Sequence, residues 1–126
     1  KIAVRKVLVL VQPEAREEIY QAMLARLGEE FYVTYSASFL VEVSDKAYSK
    51  ASAVRCIAEH YGLPVERTVA VGDCLNDKPM IEAAGVGIAV KNAEEELKRY
   101  ADVVCPFSND EDAIACIIEE FGYTKE

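Results

Sequence analysis

The sequence predicts an α/β protein in two parts. A β-α-β-β unit occupies residues 1–45, and a parallel sheet with helices on both faces occupies residues 46–126. Three observations lead there. Short apolar runs rich in β-branched residues recur along the chain. From Ser49 to Glu120 they alternate with helix-length segments, the pattern of a parallel sheet. Between Ser44 and Ser49 the order of elements changes, which marks the boundary between the two units.

Lys6 to Val11 (KVLVLV) reads as a buried strand. Gln12-Pro13 opens a helix whose apolar stripe is Ile19, Met23, Leu24 and Leu27, with Gly28 as its stop. Phe31 to Tyr35 and Phe39 to Val43 read as a hairpin or as neighbouring strands around Ser36, Ala37 and Ser38. In the second unit Ser49 is a good N-cap. Val54, Ile57, Ala58 and Tyr61 share one face of the helix it opens, and Gly62 and Pro64 close it. Thr68 to Val71 is a strand that ends at Gly72-Asp73, and Pro79 to Ala84 is a short helix stopped by Gly85. Val86 to Val90 is the next strand. Asn92 with Glu95 resembles a capping box for a helix reaching Tyr100. Asp102 to Cys105 is a third strand, and Asp110 to Phe121 a last amphipathic helix ended by Gly122.

Bulk properties narrow the function. Of 126 residues, 52% are apolar, which is a core-forming composition. A net charge of −8 argues against nucleic acid as a partner, because such binders carry basic stripes. Acidity is no obstacle to a phosphorylated substrate where a metal ion and a lysine offset it locally. No apolar run is long enough to span a bilayer, and no signal-peptide pattern opens the chain. Cys56, Cys74, Cys105 and Cys116 lack CxxC spacing and read as reduced thiols of a cytoplasmic protein. The chain opens with Lys1 instead of Met, so a longer N-terminus is expected.

The chemistry concentrates in VGDCLNDKPM, Val71 to Met80. Ligands of open parallel sheets sit at the carboxyl ends of strands, and Asp73 lies at one. Gly72 allows a sharp turn there. Asp73, Asn76 and Asp77 then fall within one turn of loop, and two carboxylates with an amide carbonyl are hard oxygen ligands suited to Mg²⁺. The competing reading is that Asp77 or Asn76 only caps the following helix. Lys50 follows the N-cap Ser49 and so lies in a first helical turn, where the macrodipole disfavours a cation. It is either a solvated surface lysine or one with an anionic partner, such as a phosphate at the strand ends. His60 and the acidic runs Glu94 to Glu96 and Asp110 to Asp112 have structural explanations, as helix-end charges and caps.

VAVGDCLNDKPMIEAAGVGIAVKNAEEELKRYADVV resembles the fourth motif and following segment of the haloacid dehalogenase (HAD) superfamily of phosphatases, and more narrowly the Cof-type sugar-phosphate phosphatases. SKASAVRCIAEHYGL is similar to the family's lysine-bearing third motif. CPFSNDEDAIACIIEEFG resembles its closing strand and helix, and the N-terminal third resembles the second half of its α/β cap. The resemblance implies a HAD-type Rossmann-like core over residues 46–126 behind part of a cap over 1–45. It implies Asp73 and Asp77 as Mg²⁺ ligands, Lys50 and Asn76 as phosphate-binding residues, and Lys50 and Asp73 as catalytic ones. A small phosphorylated metabolite is the implied substrate. Ala51 and Ala113 stand where the family often has glycine.

The family's DxDGT motif, which supplies the aspartate nucleophile, does not occur in the chain; Asp110 and Asp112 have the spacing but sit at a helix start. The expectation is therefore the C-terminal half of a Mg²⁺-dependent phosphatase, inactive alone, whose parent works through an aspartyl-phosphate. Its apolar edges are expected to pair with a copy of itself or with a missing segment. Two other readings compete. A non-catalytic binding module could keep the half-site as a surface. P-type ATPases also carry a GDxxND motif, but a membrane-spanning segment should follow it, and none does through Glu126.

Overall fold

The computed structural model describes residues 4–120. They form two three-stranded sheets. The N-terminal sheet is antiparallel, with strands β1 (Lys6–Leu10), β2 (Phe31–Ala37) and β3 (Leu40–Asp45) in the order β1-β3-β2. The C-terminal sheet is parallel, with β4 (Val69–Gly72), β5 (Val86–Ala89) and β6 (Val103–Val104) in sequential order. Five helices accompany them: α1 (Arg16–Leu27), α2 (Lys50–His60), α3 (Lys78–Ala83), α4 (Glu95–Lys98) and α5 (Ala113–Glu120). The expected α/β class and the parallel sheet are both present.

Period-two alternation divides the N-terminal sheet into two unlike faces. Val33, Val41 and Val43 form an apolar cluster against Ile19, Tyr20, Met23 and Leu27 of α1. Tyr20 meets Tyr35 edge-on at 5.1 Å. Leu24, expected in this stripe, is 37% exposed and Tyr20 takes its place. The opposite face carries Tyr32, Thr34, Glu42 and Ser44, with Lys6 across from Ser44. β1 is an edge strand paired on one side only, and Val7, Leu8 and Leu10 are exposed, so the expected buried strand is a correction. Gly28 caps α1 at φ −65°, not in the left-handed region. Its bareness serves contact instead, since a Cβ there would lie 2.4 Å from the Leu24 carbonyl oxygen.

The C-terminal core gathers Ala70, Ile81, Ile88, Ala89, Leu97 and Ile117. α2 packs against α3, and its buried residues are Ala51 and Ala58. Ile57 and Tyr61 were expected on that buried face, but they are 60% and 71% exposed. Ala58, expected on the same face, is buried. Asn92 does not cap α4. The helix starts at Glu95 after Glu94, and Asn92 is engaged elsewhere. The last helix begins at Ala113, and Asp112 before it adopts φ 56°. Phe121 and Gly122, its expected end, lie outside the described residues.

Candidate active site

β4 delivers its carboxyl end to the loop Asp73-Cys74, and a single 3-10 turn (Leu75–Asp77) leads into α3. Asp77 is 4% exposed. Its Oδ2 accepts the backbone N–H of Asp73 at 3.0 Å and of Cys74 at 3.3 Å, so it folds back over the loop it ends. Asp77 is the N-cap position of α3 but makes no side-chain bond to that helix; its carboxylate caps the preceding 3-10 turn instead, through the Cys74 N–H. Its Oδ1 accepts the Lys50 ammonium across 27 residues of sequence. The cation in the first turn of α2 thus has an anionic partner that offsets the unfavourable helix dipole. Gly72 permits this approach, because a Cβ there would stand 2.5 Å from the Asp77 Cβ.

Two shallow cavities flank the pair. One, of about 190 Å³, is lined by Gly72, Asp73, Asp77, Val90 and Asn109. The other, of about 290 Å³, lies between the polar face of the N-terminal sheet and the loop, and takes in Lys50, Asn76 and Glu42. The four expected residues are therefore adjacent but not all in one hollow. The Lys50–Asp77 ion pair is the wall between Asp73 on one side and Asn76 on the other.

Three features escaped the sequence reading. Glu94 braces the loop at two points: its carboxylate accepts the Leu75 N–H at 3.1 Å, and its own N–H donates to the Asp73 carbonyl at 2.9 Å. Asn92 and Asn109 bond reciprocally, Nδ2 to Oδ1 at 2.8 Å and Oδ1 from backbone N–H at 3.0 Å, and so join the loops after β5 and β6. The strand-end rule applied to β5 and β6 as well as to β4 would have flagged both asparagines. The third is Glu42, which strand alternation in β3 placed opposite the apolar cluster.

Hard oxygens at the tip of β4 suit a small divalent cation. Among the described residues, no three His, Cys, Asp or Glu side chains converge to hold a metal. Asp73 and Asp77 would supply two oxygens to such an ion, Asp77 only by giving up the Lys50 ammonium that its Oδ1 now accepts. The Cys74 thiol is held protonated at neutral pH. Burial, with the carboxylates of Asp73, Glu94 and Asp77 around it, pushes its thiol up to about 11.

Known proteins resemble this chain over most of its length. The chain is 44% identical over 88 residues to the phosphatase YwpJ of Bacillus subtilis, covering 70% of this chain and 30% of that protein. A haloacid dehalogenase-like hydrolase structure from B. subtilis superposes with a TM-score of 0.81 at 36% identity, covering 91% of this chain and 40% of that one. The sugar phosphatase BT4131, of HAD subclass IIB, superposes with a TM-score of 0.79 at 26% identity, covering 96% and 44%. The chain spans less than half the length of each of these relatives. The haloacid dehalogenase-like hydrolase family matches residues 1–118, across both sheets and the Lys50–Asp77 pair, and the chain belongs to that family.

Proposed function

We propose that this chain forms one wall of a Mg²⁺-dependent phosphatase acting on small phosphorylated metabolites, sugar phosphates among them. The observation that carries the reading is the Lys50–Asp77 ion pair at the end of β4, whose Asp77 carboxylate also holds the Asp73 backbone N–H. Phosphoryl transfer is mainly positioning and charge compensation, and these are the parts it needs.

In this reading Lys50 binds a phosphate oxygen and Asn76 donates to another. Asp73 would hold the ion, and Asp77 fixes the loop that aims Asp73 and would join the ion's shell as Lys50 turns from it to the phosphate. The bound Mg²⁺ supplies charge neutralisation at the phosphoryl group. Water hydrolyses an aspartyl-phosphate formed on a carboxylate supplied from outside these residues. The outer edge of β4 and the exposed Ile57, Tyr61 and Val69 are where such a segment would dock. Among the described residues no helix is long and apolar enough to cross a membrane. The four free thiols agree with a reducing compartment, the cytoplasm.

The chain verified by mass to begin at Lys1 should bind Mg²⁺ weakly and hydrolyse no p-nitrophenyl phosphate. Mg²⁺-dependent turnover by that chain would overturn the half-site reading. The intact protein should hydrolyse the ester, and Asp73→Asn in it should reduce turnover by about a hundredfold or more.

A further inference from the structure

The polar face of the N-terminal sheet is solvated at its β1 edge, where Leu8 is exposed, but not at its centre. Antiparallel sheets commonly pack one face and wet the other. Here α1 covers the apolar face, yet on the opposite one Thr34 and Glu42, which pair across β2 and β3, are each 8% exposed. A carboxylate is rarely buried without partners, and Glu42 has two. Lys6 Nζ donates to Oε2 at 2.6 Å, and the Ser36 hydroxyl donates to Oε1. Burial pushes its carboxyl up, but the bonds from Lys6 and Ser36 and the nearby Lys50 charge outweigh this and hold it below its ordinary value. Glu42 is thus an ionised group facing the cavity that also holds Lys50 and Asn76.

This arrangement has a chemical direction. Each carboxylate oxygen has a second acceptor site. Glu42 can therefore accept two more hydrogen bonds, and Thr34 and Tyr32 add hydroxyls to the same cavity. At about 290 Å³ the cavity suits a small metabolite. Lys6 is already committed to Glu42, so among the described residues no free cation of the sheet faces the cavity to hold a second anion.

We propose that Glu42 sets the specificity of this site: it accepts hydroxyls of a neutral polyhydroxylated leaving group and repels one that carries a second negative charge. The inference rests on the phosphatase reading of Lys50, Asp73 and Asp77. Like charges a few ångströms apart in such a cavity discriminate by about tenfold or more.

The test compares kcat/KM of the intact protein with Mg²⁺ on sorbitol 6-phosphate and on 2-phosphoglycolate. The wild type should prefer the polyol ester by about tenfold or more, and Glu42→Gln should shrink that ratio by about tenfold. Lys6→Gln, at a half-exposed position, should widen the ratio by stripping Glu42 of its counter-charge. Should Glu42→Gln fail to fold, the Lys6 variant alone decides. A wild-type preference for 2-phosphoglycolate, or ratios unchanged within about twofold in the folded variants, overturns the proposal. Hydrolysis of p-nitrophenyl phosphate with no such discrimination sinks only the role of Glu42. Hydrolysis of none of the three esters sinks the phosphatase reading and the proposal with it.

Discussion

Replacing Gly72 with alanine is the sharpest test of how the site loop is built. Gly72 is not among the glycines with positive φ, so its backbone accepts any L residue. On backbone grounds alone Gly→Ala would stabilise by about 0.4–1 kcal/mol, through a less flexible unfolded chain. The structure requires the opposite sign. The new Cβ would lie 2.5 Å from the Cβ of Asp77, 2.9 Å from its Cγ and 2.8 Å from its Oδ2. The Cβ is fixed to the backbone and cannot rotate away. Accepting the strain costs about 1–3 kcal/mol, as overpacking does. Moving Asp77 instead breaks its bonds from the Asp73 and Cys74 N–H groups and from Lys50. Each hydrogen bond to a charged group contributes about 1.5–3 kcal/mol, less where solvent reaches it. The net expected loss is about 2–4 kcal/mol, a large share of a stability of about 5–15 kcal/mol. Urea unfolding followed by circular dichroism measures it. A double-mutant cycle with Asp77→Gly isolates the cause, since removing the second Cβ should abolish most of the cost. A neutral or stabilising Gly72→Ala, or an equal cost in the Asp77→Gly background, would refute the reasoning.

Two further outcomes are expected. Glu42 has its folded-state pKa below its ordinary value of 4.5, so its contribution is present above that value and is lost as pH falls through the lower one. The unfolding free energy of Glu42→Gln should therefore vary less with acid below about pH 4.5 than that of the wild type, and parallel curves would contradict this. Iodoacetamide at pH 8 should modify the exposed Cys56 first. Cys105, buried, and Cys74, whose thiol is pushed up to about 11, should be modified only slowly; labelling of Cys74 at the rate of Cys56 would contradict the crowding of carboxylates around it.

Much of the architecture was legible in the residues because strands and helices announce themselves locally. β-branched runs, the Ser49 cap and the Gly-Asp break after β4 each act within a few residues. The chemistry of Asp73 and the suspicion about Lys50 followed from the same local rules, since a strand end and a first helical turn are positions along the chain. Burial was harder to read. Ile57 and Tyr61 carry the period of a buried helix face, yet both are exposed, and Ala51 and Ala58 are the residues of that helix that are buried. The groups that complete the site lie far apart in sequence: Lys50 and Asp77 are 27 residues apart, Lys6 and Glu42 36, and Asn92 and Asn109 17. Residue type and spacing constrain such pairs weakly, because a carboxylate has many candidate cations at any distance along a chain. Which cation meets it follows from the crossings of the two sheets and the turn at Gly72. Composition and periodicity were therefore enough to place Asp73 at a strand tip. Only packing could turn Asp77 back over the loop, set Lys50 against it and bury Glu42 across the cavity.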